Sequence, residues 1–127
     1  MTTTIQEIGE IELLNRLKKF MRIGQIDDDI AEIKSNQKNL LINTDLLVEE
    51  IHFSDKISNA KDIGWKCITT NVSDLICSGS ENIICFTVGL VLPPSTTWKW
   101  VDNLYEGMCE AMQEFGGEII GGDCTSG

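Results

Sequence analysis

The stretch Ile83-Ile84-Cys85-Phe86-Thr87-Val88-Gly89-Leu90-Val91-Leu92 holds ten residues without a charge and closes on Pro93-Pro94. Such a run, stopped by proline, predicts a buried strand over 83–92. It is apolar on both faces, so each face needs cover. Downstream, Ser95, Thr96 and Thr97 offer N-caps for a helix. Val101, Leu104, Tyr105, Met108, Met112 and Phe115 then recur at helical spacing as its core face. Gly116-Gly117 ends that helix, Glu118-Ile119-Ile120 reads as a short strand, and Gly121-Gly122-Asp123 follows directly.

Upstream, residues 62–78 carry Gly64, Ile68, Val72, Leu75 and Ile76 as one apolar helical stripe, with Gly79 in the position that closes a helix. Leu40-Leu41-Ile42 predicts a buried strand running into Thr44-Asp45. Ser35-Asn36-Gln37 is a hairpin turn, and residues 30–33 form its other strand. Gly24-Gln25-Ile26-Asp27-Asp28-Asp29 is an acid-loaded turn. Residues 10–22 place Leu13, Leu14, Leu17, Phe20 and Met21 at helical spacing, with Lys18, Lys19 and Arg22 near the end where cations suit the helix dipole. Helices and strands interleave, so the class is mixed α and β. The length predicts a single domain over 1–127.

The formal net charge of −10 argues against nucleic acid and anionic membranes, whose phosphates need a basic partner. Phosphate ligands remain possible, because carboxylates can hold the Mg²⁺ that screens them. No apolar run approaches the roughly 20 residues of a membrane span. Residues 1–10 are polar and acidic, unlike a signal peptide. The cysteines number five, an odd count, and no two are spaced C-x-x-C. Reduced thiols in a cytoplasmic protein are the reading that fits.

Acids fall where elements meet: Asp27-Asp28-Asp29, Asp45, Asp74 and Asp123. Loops at strand ends are the usual ligand sites of such folds, and hard cations want several carboxylate oxygens. Cys67, Asn71, Asp74 and Ser78 share one side of their helix, bordering its apolar stripe. Asp74 should therefore be partly buried, near a helix end whose dipole disfavours its charge. A cation would answer that, and so would a hydrogen bond to a neighbouring loop. Each of the others has an equally plain alternative. The triple Asp can be a solvated turn, Asp45 a turn cap, and Gly121-Gly122-Asp123 a tight turn without a ligand. His52 follows Glu49-Glu50, which tends to raise its pKa, yet a lone histidine is more often structural. Trp65, Trp98 and Trp100 read as packing or interface residues.

Taken in order, the motifs form one pattern: Asp-Asp after a glycine turn, Asn43-Thr44-Asp45-Leu46-Leu47-Val48-Glu49-Glu50-Ile51-His52-Phe53, Asp62-Ile63-Gly64-Trp65-Lys66, Asn71-Val72-Ser73-Asp74-Leu75 and Gly121-Gly122-Asp123. This resembles thiamine-monophosphate kinases, within the superfamily of aminoimidazole ribonucleotide synthetase-related enzymes. The resemblance runs from about residue 8 to 127, and residues 44–53 are its most specific part. It implies an α/β (α+β type) domain, a mixed sheet with helices packed on one face. It matches Asp29, Asp45, Asp74 and Asp123 to Mg²⁺ carboxylates, with Asn43 and Thr44 as further oxygen ligands. It matches His52 to the thiamine phosphate, and Gly122, Asp123 and Tyr105 to the nucleotide. The implied reaction moves the γ-phosphoryl of ATP directly onto thiamine monophosphate, with several Mg²⁺ ions and no phosphoenzyme. A homodimer joined through its sheets is implied as well.

There are departures from the pattern. Asp27 stands where a small residue is usual, Ile76-Cys77-Ser78-Gly79 replaces an Ala- and Met-rich run, and Cys124 stands where Thr is common. Family members continue for about as many residues again, so the expected reading is an N-terminal ATP- and Mg²⁺-binding and dimerisation domain, inactive by itself. Two other readings stay open: a hydrogenase-maturation type relative, and a non-catalytic dimerisation or binding module. His52-Phe53 and Gly64-Trp65-Lys66 favour the kinase over the first. The carboxylate set speaks against the second.

Overall fold

The computed structural model describes residues 2–21, 30–49 and 59–127. It contains two compact units, Met1–Asn43 and Thr44–Gly127.

In the first unit, helix α1 spans Ile5–Leu17 and a 3-10 turn follows over Lys18–Phe20. Thr4 and Glu7 form a capping box, in which the Thr4 hydroxyl accepts from the Glu7 amide while the Glu7 carboxylate accepts from Thr4. That cap starts the helix earlier than its apolar spacing predicts. Gly9, at φ +74°, then breaks the ladder inside it, so the regular turns begin where the spacing puts them but end at Leu17, short of the expected end, and Met21 is extended. Strands β1 (Ile30–Ile33) and β2 (Leu40–Asn43) pair antiparallel, with Ile30 opposite Asn43 and Ile33 opposite Leu40. The hairpin is where the sequence puts it, but β2 is not buried. Leu40 is 43% exposed and Ile42 42%. Partners in register share a face, so Ala31, Ile33, Leu40 and Ile42 form an apolar side with no layer upon it among the described residues of this unit.

The second unit holds helix α2 (Ala60–Cys77), strand β3 (Phe86–Leu92), helix α3 (Trp98–Phe115) and strand β4 (Ile119–Ser126). Asn59 caps α2 by accepting from Asp62 N–H at 2.9 Å, and Thr97 caps α3 by accepting from Trp100 N–H at 3.2 Å. A Schellman turn closes α2: Ser80 N–H donates to Leu75 O at 3.0 Å and Gly79 N–H to Ile76 O at 3.0 Å, with Gly79 at φ +94°. Strands β3 and β4 run parallel, and α3 is the crossover between them.

The core joins α2 to α3 over the sheet. Ala60, Ile63, Ile68 and Val72 meet Val88, Leu104, Met108 and Ala111, with Phe86, Leu90 and Ile119 packed alongside. Burial alternates along β3. Phe86, Val88, Leu90 and Leu92 face the helices, while Thr87, Gly89 and Val91 face away. Helices therefore cover one face of this strand pair, as the α/β class requires. The described strands make two pairs, one antiparallel and one parallel. The helices cross at contact distance because Gly64 and Gly107 lack side chains. A Cβ on Gly64 would stand 1.9 Å from Leu104 O, and one on Gly107 1.9 Å from Lys61 O. Lys61 also bridges the helices, 2.8 Å from Glu110 and 3.9 Å from Glu106.

Three further sequence expectations change in the second unit. The strand predicted over 83–92 begins only at Phe86, whose N–H donates to Glu118 O at 2.8 Å; residues 83–85 precede the partner strand and have no ladder to join. The strand predicted to end at Ile120 continues to Ser126, with Ile120 as a bulge between the Phe86–Ile119 and Thr87–Gly121 pairs. Ile76, read into the apolar stripe of α2, is 54% exposed, because the stripe rotates toward Ile63 and Ala60 at the other end of the helix.

Candidate functional site

Helical geometry sets Cys67, Asn71 and Asp74 along one side of α2. Cys67 and Asp74 are both half-buried, Asp74 as expected of a residue bordering the apolar stripe. Asn71 ties its side chain back to the helix, its Nδ2 donating to Cys67 O at 2.9 Å. Burial pushes the Cys67 thiol up, and the carboxylate of Asp45 pushes it further in the same direction. Asp45 lies two residues beyond the end of β2 and is exposed, so the segment entering the second unit brings its negative charge alongside the middle of α2.

Tyr105, on α3, closes the group from the other side. Its phenol is also pushed up, first by burial, then by Cys124 and by Cys67. Cys124 is opposite Leu90 in the ladder, and Leu90 packs into the core, so Cys124 is on the helix side of the sheet. Four segments thus converge around Cys67 and Tyr105: the Asp45 segment, α2, α3 and β4. Cysteines 67 and 124 are distant in sequence, and no local spacing signals that both lie near Tyr105.

Asp123 is placed differently from the expectation. The sequence puts it after a strand, but it lies inside β4, opposite Gly89, on the face turned away from the helices. Its carboxylate is exposed, and Oδ1 accepts from Cys124 N–H at 3.0 Å. Tyr105 and Asp123 are therefore brought to the same stretch of β4 but to opposite faces of it. Gly122, at φ +153°, lies against Val88; a Cβ there would stand 1.9 Å from Val88 O. Only a residue without a side chain keeps the ladder closed at that point. Gly121 has open space where a side chain would stand.

Thr44 is exposed beside Asp45, and Asn43 is half-buried at the end of β2. Asp29 and His52 lie outside the described residues, as do Asp27, Asp28 and Phe53. Among the described residues, no three of His, Cys, Asp and Glu stand close enough together to hold a metal ion. Oxygen donors are nonetheless what this region offers, because the raised Cys67 thiol is held in its protonated form, a poor ligand for a cation. Along α3, Asp102, Tyr105, Glu106, Cys109, Glu110 and Gln113 line an open acidic concavity.

The chain is similar along nearly its whole length to thiamine-monophosphate kinases. It is 55% identical over 123 residues to the one from Prochlorococcus marinus, covering 97% of this chain and 37% of that protein. It is 32% identical over 123 residues to the one from Synechococcus elongatus, covering 96% and 37%. The structure of AaThiL complexed with AMPPCP and TMP superposes with a TM-score of 0.88 at 30% identity, over 100% of this chain and 40% of that one. Thiamine monophosphate kinase from Aquifex aeolicus gives 0.79 at 28% identity, over 98% and 40%. The chain thus spans well under half the length of the relatives it matches. The AIR synthase related protein N-terminal domain matches residues 27–127, which takes in both strand pairs, α2, α3 and every candidate site residue, and the chain belongs to that family.

Proposed function

We propose that this chain is the N-terminal, nucleotide- and metal-binding part of a thiamine-monophosphate kinase, which moves the γ-phosphoryl of ATP onto the phosphate of thiamine monophosphate to give thiamine diphosphate. The observation that carries this reading is the 55% identity with the Prochlorococcus marinus kinase across 97% of the chain. The likeness to AaThiL complexed with AMPPCP and TMP supports the same pair of ligands. The oxygen donors Asp29, Asn43, Thr44, Asp45, Asp74 and Asp123 would hold Mg²⁺, which when bound screens phosphates that otherwise repel one another and this acidic chain. The chain's own contribution is positioning. Asp45 presents an exposed carboxylate beside α2. Gly121 leaves open space in which a phosphate can approach the backbone of β4, Gly122 is assigned to the nucleotide through its backbone, and Asp123 and Tyr105 flank that strand. His52 is assigned to the thiamine phosphate. Transfer is direct and in line, with no residue of this chain phosphorylated.

Self-association belongs to the same proposal. Ile84 is 65% exposed, Val91 67% and Ile120 62%, an apolar surface at and beside the uncovered side of the β3–β4 pair. A second copy of the chain is the cover we assign to it, and the cytoplasm, where its free thiols stay reduced, is the compartment.

Calorimetry with Mg²⁺ and AMPPCP, together with a thiamine-diphosphate assay, tests the reading. The expected result is metal-dependent nucleotide binding with little or no turnover, since the chain spans 37% of the Prochlorococcus marinus kinase. Absence of any response to millimolar Mg²⁺ with nucleotide would overturn the binding role. Robust thiamine diphosphate formation would overturn the view that more than these residues is needed.

A further inference from the structure

We draw no further inference here: the strongest candidate, the shallow apolar groove that Val72, Ile76, Cys77 and Phe115 line between the second half of α2 and the end of α3, is an unpartnered face, and nothing in the structure shows what covers it.

Discussion

Asp74 and Cys67 sit two turns apart on one side of α2, and each allows a test of its own. Asp74 is a half-buried acid close to the helix end that disfavours it. Asp74→Asn is expected to leave the metal-free fold as stable or slightly more stable, while weakening Mg²⁺ binding. Urea denaturation without metal and calorimetry with it read the two effects apart; a large stability loss without metal would make Asp74 a structural acceptor. Cys67 gives a pH prediction. Its folded thiol is raised above the ordinary 9.0 by burial and then by Asp45, so the folded chain holds that proton more tightly than the unfolded one. The stabilisation is complete below that value and is lost as pH climbs through it and the folded pKa above it. The urea midpoint should therefore fall between pH 8 and 10, and fall less steeply in Cys67→Ala. Cys77, Cys85, Cys109 and Cys124 are exposed and should be alkylated before Cys67 at pH 8.

At the scale of elements, two contacts without side chains decide the packing. Gly64→Ala forces a Cβ to within 1.9 Å of Leu104 O, a backbone atom that moves only if α3 moves with it. We expect a loss of about 1–3 kcal/mol, the usual cost of overpacking, read as a lower urea midpoint. Thr97→Ala removes the cap on Trp100 N–H, and should cost about 1 kcal/mol without altering the core. Much of this architecture was legible beforehand. The spacing of Leu104, Tyr105, Met108 and Met112, the caps at Thr97 and Gly79, and the turn at residues 35–37 are local signals, and each element stands where they put it. Gly121-Gly122 misled, because paired glycines read as a turn. In the folded chain Gly122 serves a strand, where contact with Val88 excludes any side chain. That contact is made with a strand on the far side of a helix, so nothing within a few residues announces it. The site divides the same way: Asp74's partial burial follows from helical period alone, whereas the placing of Cys67 and Cys124 near Tyr105 depends on tertiary packing.

At the scale of the whole molecule, the exposed apolar residues on and beside the outer face of the β3–β4 pair are the testable feature. Light scattering should find a dimer at micromolar concentration, and Val91→Lys should shift it toward monomer because a charge at that position would be buried by the partner. A clean monomer in the unaltered chain at high concentration would remove the interface. The parallel pairing of β3 with β4 has a consequence of another kind. Phe86 finds its partner at Ile119 and Leu92 at Ser126, so no part of this ladder can zip from a turn as the Ile33–Leu40 hairpin can. The whole of α3 must be wound and set against α2 before the two strands meet, which places their joining late and makes it slow. On the ribosome, β3 emerges well before β4 and waits with its edge bare, so the interval until Ser126 is made is when this chain is most in need of a chaperone.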